Sequence, residues 1–147
     1  MIAVIQRVNH SYVKIGEEKV ASIQKGILCL LGVQKGDNQA HMEKLIQKVS
    51  DLRIFSDSEG KMNLSLKDLQ AELLLVSQFT LAGDCRKGKR PSFTDAEEPT
   101  KSKVLFEGAV TYAKSLGLRV ESGVFQADMQ VGLENDGPVT FILEVKD

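Results

Sequence analysis

Leu73-Leu74-Leu75-Val76-Ser77-Gln78-Phe79-Thr80-Leu81 is an apolar run that becomes polar at its far end. Four consecutive aliphatic side chains suit a strand buried on both faces. The reading is a strand from Leu73 to Leu81 that carries hydroxyls, an amide and main-chain donors to the edge of the core. A second run of the same kind, Ile27 to Val33, follows Gly26. The first third of the chain reads as a meander feeding this pair. Ala3 to Val8 alternates, His10 falls in a turn, and Tyr12 to Ile15 alternates again. Gly16-Glu17-Glu18-Lys19 then turns into Val20-Ala21-Ser22-Ile23.

Two amphipathic helices flank the strands. Met42, Leu45, Ile46, Val49 and Leu52 recur at three- and four-residue steps after a cap at Asp37 or Asn38. A second helix runs from a Thr100 cap to about Leu116, with Val104, Leu105, Ala109, Tyr112, Ala113 and Leu116 inward and Gly117 closing it. Arg53-Ile54-Phe55, Arg119-Val120-Glu121, Val124-Phe125 and Met129-Gln130-Val131 read as short strands. Asn135-Asp136-Gly137 reads as a turn into the closing strand, Val139 to Val145. The fold class is α+β: mainly antiparallel, barrel-like, with two helices, in a single domain over residues 1–147.

The bulk composition narrows the function classes. The chain is 147 residues long, 42% hydrophobic and 27% charged, with a net charge of −1, which argues against a generally basic nucleic-acid coat. No apolar stretch approaches membrane-spanning length. Cys29, inside an apolar run, reads as a buried free thiol, and Cys85 as an incidental one in a polar loop; both fit a reducing, cytoplasmic setting. His10 and His41 read as surface residues, and no Cys/His spacing suits a metal, so no cofactor or metal is expected. Ala82 to Pro99 is a long polar loop containing Arg86-Lys87-Gly88-Lys89-Arg90. That cluster is either a solvated loop or a phosphate-facing edge on a neutral body.

Two blocks remain as candidate chemistry. Where a buried strand leaves its ladder, successive N–H groups become available to an oxyanion, which makes Ser77, Gln78, Phe79 and Thr80 candidates. Phe79 offers a face for a base. Thr80 can position water or act as a nucleophile, although no neighbouring base activates it. The plainer reading is a strand whose hydroxyls bond their neighbours. Asn135-Asp136-Gly137-Pro138-Val139-Thr140 offers a stiff Gly-Pro step with two carbonyls, or simply a good turn. Phe125 and Met129 line a pocket or pack the core.

Together the two blocks resemble the signature motifs of the D-aminoacyl-tRNA deacylases. The likeness continues, in order, through Met1 to Val8, Leu31-Gly32-Val33, Arg53-Ile54-Phe55-Ser56-Asp57, Gly60-Lys61-Met62-Asn63, Arg90-Pro91-Ser92-Phe93 and Ala127-Asp128-Met129-Gln130-Val131. It covers essentially the whole chain, with one departure: Gln126 stands where the pattern has a small residue. The resemblance implies hydrolysis of the ester in D-aminoacyl-tRNA, with glycyl-tRNA not excluded and L-aminoacyl-tRNA rejected. It implies a homodimer in which Gly137 and Pro138, joined by a cis bond and fixed by Arg7, complete the partner's Ser77–Thr80 site. It places Phe125 and Met129 at the substrate and makes Arg86, Lys87, Lys89 and Arg90 candidate tRNA contacts. It also implies main-chain catalysis near Phe79 and Thr80, helped by the substrate's own 2′-hydroxyl. Three other readings stand beside it: a small esterase using Thr80 as nucleophile, a non-enzymatic RNA-binding module, and a structural dimer without a ligand.

Overall fold

The computed structural model describes residues 1–147. Its elements, in chain order, are β1 (Ile2–Ile15), β2 (Glu18–Ile23), β3 (Gly26–Gly32), α1 (Gln39–Asp51), β4 (Phe55–Ser56), β5 (Met62–Leu64), the one-turn α2 (Leu66–Leu69), β6 (Glu72–Ser77), a 3-10 turn (Phe79–Ala82), α3 (Pro99–Ser115), β7 (Arg119–Ser122) and β8 (Gln130–Glu144). The six-stranded sheet runs β2-β1-β3-β6-β7, with β8 on the other edge of β1. It curls into a barrel-like α+β fold. The β1 pairings with β2, β3 and β8 are antiparallel. β6 is parallel to both β3 and β7.

The two apolar runs form the centre, and both of their faces are covered. Ile27, Cys29, Leu31, Leu73 and Leu75 join Met42, Leu45, Ile46 and Val49 of α1 and Leu105, Phe106, Ala109 and Ala113 of α3 in one core. The alternate residues Leu28, Leu74 and Val76 turn the other way and meet Val8, Val13, Ala21 and Ile23. Period-2 alternation through two continuous apolar runs therefore builds two cores back to back. At Gly26, opposite Glu72, an added Cβ would collide with the Glu72 main chain, so glycine there permits the close parallel approach.

Several expectations change. β1 is one strand, and His10 lies within it, not in a turn. Ala3 and Ile5 face the helices and Val8 faces the second core, in plain alternation, but Val13 shares the side of Val8, so the alternation changes phase between Val8 and Val13. The register shift against β8 between Val8 and His10, where Asn9 is the extra residue on β1, absorbs that change. Asn38, not Asp37, caps α1, its side chain accepting from the His41 N–H. Glu98, not Thr100, precedes the first residue of α3, because Pro99 suits the first helical position. Val104 is 67% exposed, and Ser102 and Phe106 take its expected place in the core. His41 is buried between Asp37 (3.2 Å) and Asp147 (2.6 Å) and is not a surface residue. A third, one-turn helix, α2, follows a Ser65 capping box.

Candidate functional site

The strand expected to continue to Leu81 ends at Ser77, and the 3-10 turn begins two residues later. The Gln78 N–H still donates to Leu31 O (2.8 Å), so the chain leaves the ladder at a fixed point. The first bond of the turn runs from the Leu81 N–H to Gln78 O (3.2 Å). The N–H groups of Phe79 and Thr80 open that turn and have no carbonyl within it to serve as partner. Phe79 is 60% exposed and leans on Phe93, with ring centroids 5.2 Å apart. Thr80 is exposed, and its hydroxyl accepts from the Gln78 side-chain amide. No carboxylate or imidazole joins Thr80 in a hydrogen bond.

Beside this strand end opens a cleft of about 670 Å³. Its apolar flank includes Leu31, Val76, Phe106, Phe125 and Met129, and its polar groups come from Ser77, Gln78, Glu97, Ser102 and Gln126. Thus Ser77, Gln78, Phe79, Phe125 and Met129 share one cavity, and Thr80 stands on its shoulder. Phe125 contacts Phe106 at 6.2 Å between centroids. Glu97 is held ionised, its carboxyl kept below the ordinary glutamate range first by the Glu98 N–H and then by Lys101 (3.1 Å). Glu97 and Ser102 were not anticipated: nothing in a polar loop followed by Pro99 marks which carboxylate will be pinned against the cleft.

The second block is not a turn between strands but an excursion within β8. Thr140 pairs with Gln6 and Asn135 pairs with Val8, so Arg7 alone faces Asp136, Gly137, Pro138 and Val139. These four residues loop out of the ladder. Asn135 staples the base of the loop: its Oδ1 accepts from the Val139 N–H (2.7 Å), and its Nδ2 donates to Thr140 Oγ1 (3.0 Å) and Val139 O (3.3 Å). Arg7, with a side chain only 11% exposed, donates Nε–H to Asp136 O (3.0 Å) and Nη1–H to Ile54 O (2.8 Å). The Gly137–Pro138 bond is cis, and Gly137 has φ +139. An added Cβ there would come within 2.7 Å of Val139 Cγ2.

Within one chain the two blocks stay apart. Ser77 pairs with Leu31, and Leu31 with Ala3. Arg7 lies four residues farther along β1, about 13 Å at the usual strand rise, with β3 between. Neither Gly137 nor Pro138 lines the cleft.

Arg86 is tied to Asp84 through Nε (2.9 Å) and Nη2 (2.8 Å), which holds the Asp84 carboxyl down to about 2. Lys87, Lys89 and Arg90 are exposed in the same loop. No group of three or more His, Cys, Asp or Glu side chains comes together as a metal site. No helix is long and apolar enough to cross a membrane.

Comparison with known proteins adds to this geometry. Residues 4–144 match the family model described as D-Tyr-tRNA(Tyr) deacylase. A D-aminoacyl-tRNA deacylase of Syntrophus aciditrophicus (strain SB) is 52% identical over 146 residues, covering 99% of this chain and 98% of that one. One from Thermotoga petrophila (strain ATCC BAA-488 / DSM 13995 / JCM 10881 / RKU-1) is 54% identical over 144 residues, covering 98% and 97%. Among solved structures, a c-Myc DNA unwinding element binding protein superposes with a TM-score of 0.94 at 37% identity over the whole of both chains. A probable eukaryotic D-amino acid tRNA deacylase has the same fold, with a TM-score of 0.84 at 15% identity over 98% of each chain.

Proposed function

The chain belongs to the D-Tyr-tRNA(Tyr) deacylase family, and on that premise we propose that it hydrolyses the ester joining a D-amino acid, or glycine, to the terminal adenosine of tRNA, working as a homodimer in the cytoplasm. The observation that carries this reading is the loop opposite Arg7. Four residues leave their own ladder, are fastened at the base by Asn135 and Arg7, and end far from their own Ser77–Thr80 segment. A second copy can bring that loop to the cleft.

In this arrangement the apolar cleft takes the terminal adenosine, its volume and lining suiting one nucleoside. Phe79 supports the substrate on its exposed face. The ester carbonyl lies against the N–H groups of Phe79 and Thr80. Water adds to the carbonyl carbon, and the charge gathering on oxygen is met by those donors. Collapse of the adduct breaks the bond to the ribose oxygen, which leaves as a hydroxyl, and the acid departs as a carboxylate. The vicinal 2′-hydroxyl orients the water and relays its proton to the departing ribose oxygen, accepting one proton as it gives up its own, since no side-chain base stands beside Thr80.

Handedness is read by exclusion. The Gly137 and Pro138 carbonyls of the second copy accept from the substrate's α-ammonium. With ammonium and ester both fixed, an L side chain points into the Gly-Pro wall and a D side chain points toward solvent. Glycine has nothing to clash and is accepted. Lys87, Lys89 and Arg90, with Arg86 partly neutralised by Asp84, face the tRNA phosphates, so turnover at limiting substrate falls steeply with salt.

The test is a deacylation assay on matched D-, L- and glycyl-tRNA. Hydrolysis of the D and glycyl substrates with the L substrate untouched is the expected pattern. Equal hydrolysis of the L substrate refutes exclusion by the Gly-Pro wall. Hydrolysis of simple amino-acid esters without tRNA, with a trapped Thr80 acyl adduct, would point to a nucleophilic esterase instead.

A further inference from the structure

Gln126 is the cleft residue whose backbone is at odds with its side chain. The Ala127 N–H donates to Val124 O (3.2 Å), closing a β-turn in which Gln126 is the third residue, with φ +65. That position favours glycine, because a Cβ is poorly tolerated at positive φ. The other non-glycine residue with positive φ, Gln70 at φ +50, closes a short helix, where left-handed backbone is routine. Gln126 closes no helix. Its turn presents Phe125 to the cleft and leaves its own carboxamide exposed at the cleft mouth. Gln78, Glu97 and Ser102, also lining the cleft, have polar atoms already engaged within the fold. The Gln126 carboxamide makes none of the fold's hydrogen bonds. An unfavourable backbone kept at a ligand cavity, carrying an unused planar donor–acceptor pair, points to a group that the amide recognises.

We propose that Gln126 is a specificity-determining residue that reads the base of the substrate's terminal adenosine at its N6/N7 edge. The proposal rests on the reading above that this cleft holds that adenosine. A purine lying along Phe125, Phe106 and Met129 is buried by its faces and keeps an edge at the mouth. A glutamine amide matches that edge of adenine, its oxygen accepting from N6–H and its nitrogen donating to N7. Unstacked RNA bases are commonly recognised in this way. The contact forms in the ground state and persists through ester cleavage, so it acts on KM and leaves kcat alone.

The experiment compares D-aminoacyl-tRNA ending in adenosine with the same tRNA ending in 7-deazaadenosine, which lacks the N7 acceptor. The wild-type protein should show a KM about tenfold higher on the deaza substrate, the scale of one good amide–base contact. Gln126→Gly relieves the backbone and removes the amide; Gln126→Met keeps the backbone and removes the amide. Both should raise KM on the ordinary substrate to the same extent, hold kcat within about twofold, and lose sensitivity to the deaza change. A purely structural role would shift both substrates alike. Variants that still discriminate between the two substrates, or a wild-type protein that does not, overturn the assignment. A wild-type protein that hydrolyses neither substrate refutes the functional reading itself, a result distinct from activity without base discrimination.

Discussion

Replacing Arg7 by methionine tests whether the excursion in β8 is held from below. The guanidinium is almost wholly buried and bonds two carbonyls, Asp136 O at 3.0 Å and Ile54 O at 2.8 Å. A charge-assisted hydrogen bond contributes about 1.5–3 kcal/mol. Ile54 is buried, so its carbonyl would be left without a partner, and that bond counts in full. Asp136 lies in a more open loop whose carbonyl can take water, so its bond counts in part. The 3.5 Å approach to the half-exposed Asp136 carboxylate adds little, because solvent screens it. Methionine keeps the apolar stem. The expected loss is about 2–4 kcal/mol, read as a shift of about 1–2 M in urea midpoint at one fixed protein concentration. Arg7→Lys should fall between the two, since an ammonium cannot span both carbonyls in the guanidinium's fixed geometry. In the deacylation assay the loosened loop should admit L substrates while D turnover persists. An Arg7→Met protein that melts within about 0.5 kcal/mol of the parent, well inside the smallest value expected for the lost bonds, would refute the structural reasoning. One that is destabilised yet keeps its full D-over-L ratio would refute the link from Arg7 to handedness.

Other perturbations carry their own readouts. Asn135→Ala removes three hydrogen bonds from the loop base and should cost about 1–3 kcal/mol in a urea melt, with L-substrate hydrolysis rising in parallel. Gly137→Ala should destabilise as well as relax chiral selection, because its φ of +139 and the nearby Val139 side chain leave no comfortable place for a Cβ. Glu97→Gln should lower the melting temperature at neutral pH and not in acid. The folded carboxyl is held below its ordinary value, so its contribution is fully present above the ordinary glutamate range and disappears as the pH falls through the lowered value; melts across that range check the sign. Burial pushes the Cys29 thiol up to about 12, so iodoacetamide at mildly alkaline pH should add one label to the native protein, at exposed Cys85, and two in urea, counted by mass spectrometry.

The central pair of strands was legible because a continuous apolar run has few other places to go. Leu73–Val76 and Ile27–Leu31 sit in the middle of the sheet, as their composition demands. The helices were legible by period, but not the last detail of their faces: Val104 has the right spacing and the wrong side, while Ser102 is buried because its hydroxyl finds the Glu97 carbonyl. Long-range pairing stayed hidden. Nothing local to Leu73 says that β6 runs parallel to β3, and nothing local to Asn9-His10 says that one strand continues through a change of phase. The candidate site was legible as two sequence blocks and not as a place. Ser77 to Thr80 resembled a strand because the polar residues continue its alternation; the chain turns into a 3-10 segment once burial ends. Asn135 to Val139 has every local mark of a turn. It is a loop inside a strand because Gln6 and Val8 hold both of its ends, a constraint that lies about 130 residues away, as the Arg7–Asp136 bond records.

Anchoring the polar segment to the end of a doubly covered strand also sets how it moves. Amide protons from Leu73 to Val76 exchange only when both cores come apart, so their protection should approach the global limit. The 84–92 segment, fastened by the isolated Asp84–Ser92 bridge, can open by itself and exchange much sooner. The boundary between slow and fast exchange should therefore fall within a few residues of Ser77. The Ser77–Thr80 segment is thereby tethered at its root to the slowest-exchanging strand, while the Arg86–Arg90 loop can open without disturbing it.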